Sequence, residues 1–136
     1  MAGPLTAEEV ARVAEFRAML RRFLRKSERS ARAAGLTPQR YLLLLMIKGA
    51  ADRSEQSTVT ELAERLQLAQ STVTELVRRA EESGLVERER SSSDGRIAHL
   101  RLSADGERRL SESFTSNESE REALQTAFAS LEGKAR

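Results

Sequence analysis

Six arginines fall between positions 78 and 101: Arg78, Arg79, Arg88, Arg90, Arg96 and Arg101. A guanidinium stays charged at any working pH and offers a planar fork of donors, so such a cluster suits phosphate or base-edge recognition through charge-assisted hydrogen bonds. Bond-making chemistry has less to draw on. The chain has no cysteine and one histidine, His99. That inventory excludes disulfides, thiolate metal sites and thiol redox sensing, and leaves no histidine cluster for zinc. There is no glycine-rich phosphate loop, and His99 reads as an exposed strand residue with no acid–base partner. The expectation is therefore a binding protein, not an enzyme, without cofactor or metal.

The elements that must position those arginines are legible in the apolar spacing. The hexapeptide Ser-Thr-Val-Thr-Glu-Leu occurs at 57–62 and again at 71–76, and each copy opens a helix. The first runs through Val59, Leu62, Ala63 and Leu66, with Thr58 and Glu61 spaced as a capping box. The second runs through Val73, Leu76, Val77 and Ala80. Only Gln67 to Gln70 separates them, which suits the turn of a helix-turn-helix. Gly84 ends the second helix, Val86 to Arg90 reads as a strand, Asp94-Gly95 as a hairpin turn, and Ala98, Leu100 and Leu102 as one face of the returning strand. Helix, turn, helix and hairpin together make a winged helix.

Charge argues less strongly. The net charge is +2, and residues 35–103 balance ten Lys/Arg against ten Asp/Glu. A basic surface there depends on Glu61, Glu64 and Glu81 facing elsewhere. Outside the lobe, Thr6 and Glu9 form another capping box that starts a helix to about Ala34, with Val13, Phe16, Leu20 and Phe23 along one stripe. Its excess apolar face calls for a partner, either the C-terminal helix or a second copy of the chain. Thr37-Pro38 starts a helix to about Gly49. Ser103 caps a helix from Ala104, and the polar stretch from Thr115 to Glu122 leaves open one long helix or two broken near Asn117. The longest apolar run, Tyr41 to Ile47, is far below the ~18 residues a membrane span needs, and no signal pattern opens the chain, so a cytoplasmic protein is expected.

The order of elements resembles the MarR family of winged-helix regulators. Leu36-Thr37-Pro38-Gln39, Val59 to Leu68, Ser71 to Val86, and Asp94-Gly95-Arg96 followed by Leu100-Arg101-Leu102-Ser103 and Gly106 carry that likeness. It implies a mainly α fold with a small β-hairpin wing. The whole of 1–136 forms a single domain, with dimerisation helices at 6–34 and 104–132 and a DNA-binding lobe at 36–103 (helix-turn-helix 58–83, wing 86–102). It further implies a homodimer, usually a repressor, on a pseudo-palindromic double-stranded operator, released by a small aromatic or anionic effector or another non-thiol signal. Carried onto this sequence, the recognition helix offers Gln70, Ser71, Thr72, Thr74, Glu75, Arg78 and Arg79 to DNA. Arg78 suits a guanine edge and Glu75 a cytosine amino group. The wing offers Arg88, Arg90, Asp94 and Arg96, with Arg96 in the minor groove and Asp94 orienting it, or else Asp94 serving the turn and Arg96 solvated. Effector candidates by position are Phe16, Arg40, Tyr41 and Leu44, each more readily read as ordinary core or interface.

Three departures from the family pattern stand out, one being that the segment after Gly106 is short and polar in its middle beside the family's usual two helices. Ala69 replaces the usual hydroxyl cap of the recognition helix, so the cap is absent or moves to Ser71, and Glu75 stands where a basic residue is frequent. The alternative function is a winged-helix protein-interaction module without sequence-specific DNA binding, which the balanced charge of the lobe favours.

Overall fold

The structure, a computed structural model, describes residues 3–90 and 97–132. Its elements are α1 (Ala7–Ala33), α2 (Pro38–Lys48), α3 (Val59–Leu66), α4 (Gln70–Glu82), β1 (Val86–Arg90), β2 (Ala98–Leu102), α5 (Ala104–Ser116) and α6 (Glu118–Leu131). The local chemistry accounts for where they start. Thr6 with Glu9 and Thr58 with Glu61 form complete capping boxes at α1 and α3. Thr37 and Ser103 accept from the third amides of α2 and α5. Each such cap is worth ~1 kcal/mol. Gly84, at φ 75°, takes the left-handed turn that stops α4 and sends the chain into β1.

One apolar cluster holds the winged lobe together. Leu43, Leu44 and Ile47 of α2 meet Leu62 of α3, Val73, Val77 and Ala80 of α4, and Val86, Leu100 and Leu102 of the hairpin. Each large side chain so buried contributes about 1.5–3 kcal/mol. The hairpin pairs antiparallel from Val86 opposite Leu102 to Arg90 opposite Ala98. Ser57, just ahead of α3, exchanges two backbone hydrogen bonds with Leu100, at 3.0 and 2.8 Å. That bridge fixes the helix-turn-helix against the wing. At the other end of the hairpin, a Cβ on Gly106 would overlap the Leu85 carbonyl oxygen. Only glycine lets α5 start this close to the strand.

The long helices are a different kind of structure. In α1 only Ser27, Ser30 and Ala31 are buried. Its first half lies on α6, where the Phe16 and Phe128 rings sit 6.0 Å apart at 55°. Val13 and Phe128 remain 52% exposed and Phe114 43%, the last with the Arg121 guanidinium 3.9 Å above its ring, so apolar side chains are left part-covered on all three helices. The polar stretch after Thr115 is two helices, broken at Asn117. There the fully buried Asn117 accepts from the Ser30 hydroxyl at 2.8 Å through Oδ1, and the Ser113 hydroxyl donates to the Ser30 carbonyl at 3.3 Å. The Asn117 Nδ2 has no partner among the described residues. Arg109 seals the far end of α1, donating to the Ala34 carbonyl while paired with Asp105.

Candidate nucleic-acid interface

The turn between α3 and α4 is set by Gln67 in left-handed geometry, at φ 56°, with the Leu68 amide donating to the Ala63 carbonyl at 3.1 Å. The Gln70 side chain donates to the Thr60 hydroxyl at 3.2 Å and ties the start of α4 back to α3. Val73, Val77 and Ala80 are buried and Leu76 half-buried, so the opposite face of α4 is free. Ser71, Thr72, Thr74, Arg78 and Arg79 are exposed on it and Glu75 is half-buried. All seven positions expected from the sequence are on this helix, and a shallow concavity lined by Ser71, Thr72, Glu75, Leu76 and Arg79 also takes in Gln39 from the first turn of α2. Gln39 carries no signal in the sequence beyond its place beside Pro38. No side chain caps α4, since Ala69 cannot and Ser71 does not.

The charged residues of this face are engaged with one another. Arg78 donates to Glu75 through Nε at 3.0 Å and Nη2 at 2.5 Å, and to Glu82 through Nη1 at 2.5 Å. Arg79 Nε reaches the same Glu75 at 2.9 Å. Held by Arg78 first and Arg79 second, the Glu75 carboxyl titrates at about 2, so it is ionised throughout the physiological range. Glu75 and Glu82 together thus offset the charge of the two guanidiniums on this face.

The wing divides its charges by face. Arg88 stands on the Val86 side of β1 and makes a two-bond pair with Glu81 of α4, at 2.9 and 3.1 Å. That hydrogen-bonded pairing holds Glu81 below the usual carboxylate range and Arg88 above its own. The guanidinium expected to serve the wing also fastens the hairpin to the helix. Arg101, on the other face, lies 3.3 Å from Glu89 and 3.9 Å from Glu87. Arg90 ends β1 opposite Ala98, while Asp94 and Arg96 lie outside the described residues. Of the acids whose placement mattered, Glu61 is taken up by its capping box and Glu81 by Arg88, while Glu64 is exposed. His99 is half-buried rather than exposed, opposite Glu89, because the loop carrying Asp52 passes near it.

The four effector candidates are dispersed. Leu44 is wholly buried in the core and Phe16 is half-buried against Phe128. Arg40 is half-buried at the start of α2. Tyr41 borders a crevice of about 70 Å³ between α1 and α2, lined also by Leu24, Ser27, Glu28, Pro38 and Leu42. Ligand sites for drug-sized molecules run to roughly 300–1,000 Å³, so this crevice is too small as it stands.

Residues 34–97 match the model of the MarR family. Among solved structures, the YusO protein of Bacillus subtilis superposes with a TM-score of 0.65 at 22% identity, covering 94% of this chain and 96% of that one. A cysteine-to-serine mutant of MarR from E. coli, complexed with operator DNA, gives 0.65 at 19% identity over 90% of this chain and 85% of its own. Reduced AbfR bound to DNA gives 0.58 at 29% identity over 73% and 68%. No curated protein sequence matches the chain.

Proposed function

We propose that this winged-helix chain, whose residues 34–97 match the model of the MarR family, is a homodimeric repressor that reads a pseudo-palindromic operator with the outward face of α4. The observation that carries the reading is the helix itself. One side is locked into the core by Val73, Val77 and Ala80, and the other presents Ser71, Thr74, Glu75 and Arg78 without obstruction. Arg78 takes a guanine edge and Glu75 a cytosine amino group, a pair of demands that one C·G base pair or two neighbouring pairs can meet. The uncapped amides at the start of α4 are left for a phosphate. Operator-bound MarR of E. coli and DNA-bound AbfR, which share this fold, support the assignment. As the family likeness implies, Arg96 serves the minor groove and Asp94 orients it.

Dimerisation follows from the uncovered apolar face. Val10, Val13, Phe114 and Phe128 are between 43% and 52% exposed, on α1, α5 and α6. A second copy packed there buries them and sets two α4 helices side by side. An effector that enters between α1 and α2 must widen the crevice beside Tyr41 and so shift α2, whose Gln39 adjoins the reading face.

The test is selection of binding sites from a random duplex library at near-physiological salt. An enriched inverted repeat, with half-sites about ten base pairs apart, supports a dimeric operator reader. Retention without sequence preference, or none, favours a second reading to which the self-neutralised face of α4 lends weight, a winged-helix module that binds protein. Its binding to a partner is insensitive to salt where DNA binding falls steeply.

A further inference from the structure

The positive charge of this protein is not where the reading helix is. Residues 35–103 balance to zero, whereas residues 17–32 of α1 carry seven Lys/Arg against the single acid Glu28. At 100° per residue, Arg21, Arg22, Arg25, Arg29 and Arg32 stand within an arc of about 100° and a length of about 16 Å. All five are exposed, on the side of the helix away from the buried Ser27, Ser30 and Ala31. Six arginines of the lobe and of α5 are paired, Arg78 and Arg79 with Glu75, Arg88 with Glu81, Arg101 with Glu89, and Arg108 and Arg109 with Asp105, while Arg53 and Arg65 donate to backbone carbonyls and Arg40 is half-buried at the start of α2. None of the five on α1 makes an ion pair with a described residue.

The helix that bears the stripe also packs beside the element that borders the outward face of α4. Pro38 and Tyr41 of α2 share a crevice with Leu24, Ser27 and Glu28 of α1, and the next residue, Gln39, borders the concavity of α4. The first turn of α2 therefore stands between the arginine-bearing end of α1 and the helix that meets the bases. We propose that the Arg21–Arg32 stripe is a second DNA contact, which holds the phosphates of duplex flanking the bases read by α4. Exposed guanidiniums without acid partners complement a duplex that carries one negative charge per roughly 1.7 Å of axis. The division of labour is physical: α4 is self-neutralised and selects, and α1 supplies the attraction. This inference rests on the DNA-reading assignment above.

The test compares the full chain with R21Q/R25Q/R29Q and, as a charge-preserving control, R21K/R25K/R29K. Affinity is titrated on the selected core duplex and on one extended by about ten base pairs at each end, a full turn, over a range of salt. The wild type and the lysine variant are expected to bind the extended duplex severalfold more tightly than the core. The glutamine variant is expected to lose that gain and to lower the salt slope by roughly 2–3 per protomer, and so by about 5 for the proposed dimer, at about 0.9 per phosphate released, while selecting the same sequence. An unchanged slope and an unchanged length gain overturn the proposal. Equal loss in the lysine and glutamine variants also overturns it, since the helix and not its charge would then be at fault. Unchanged DNA binding with lost retention of poly-glutamate overturns it in favour of an acidic protein partner. If the wild type selects no sequence, the operator assignment fails, and the stripe is still judged by the salt slopes of wild type and glutamine variant on random duplex.

Discussion

Glu75 is the residue on which the chemistry of the reading face turns. It holds Arg78 at 2.5 Å and Arg79 at 2.9 Å, so any phosphate or base that recruits either arginine must compete with a carboxylate already in place. Non-specific phosphate contacts are penalised most, because only a base pair that also satisfies Glu75 repays the exchange. Replacing Glu75 with Gln is expected to raise affinity for random duplex severalfold and to lower the ratio of operator to random binding, as read by titration on both. An unchanged ratio would show that Glu75 does not select. The same carboxylate makes a pH prediction. Its folded pKa of about 2 lies below the ordinary 4.5. Its stabilising contribution is therefore fully present above pH 4.5 and lost as pH falls through 2. Thermal midpoints of the wild type and Glu75→Gln should differ at neutral pH and converge near pH 2. Because the group is exposed, the difference should also shrink with salt.

At the scale of elements, two close approaches decide how the lobe meets the long helices. The Gly106 position touches the Leu85 carbonyl oxygen, which itself accepts from the Ser103 amide at 2.9 Å. Gly106→Ala should cost about 1–3 kcal/mol in urea denaturation, because backbone and not a yielding side chain stands in the way. Ser30→Ala removes the one hydrogen bond of the buried Asn117 side chain and should cost about 1–3 kcal/mol by the same measurement. A cost near zero in either case would contradict the packing described. These contacts mark where sequence reasoning stops. Helix starts were readable from Thr6, Thr37, Thr58 and Ser103 because capping is local, as were the αL stop at Gly84 and the faces of β2 and α4. The break at Asn117 was not decidable, since its cause is Ser30, 87 positions away. Nor was the use of Arg88, which depends on the lie of β1 against α4 and hence on Glu81. The arginine stripe of α1 is legible as five positions on one helix face, but its lack of acid partners among the described residues is a property of the folded chain.

At the scale of the molecule, the proposed dimer ties the exposed apolar side chains of α1, α5 and α6 to the spacing of two α4 helices. Val13→Glu or Phe128→Glu puts a charge into the uncovered face. Either is expected to yield a folded monomer by light scattering, with unchanged helical content and operator affinity reduced at least tenfold, because two half-sites are no longer engaged together. A variant that stays dimeric and binds normally would place the dimer contact elsewhere. No described helix is long and apolar enough to cross a membrane. The central claim, that the outward face of α4 reads bases, is tested most directly by repeating the selection from random duplex with Arg78→Ala beside the wild type. The variant is expected to lose preference at one symmetrical guanine in each half-site, at a cost of about 1–3 kcal/mol per contact, and to keep the rest of the repeat. Identical repeats from both proteins would contradict it, for then the bases are read by something other than this helix face.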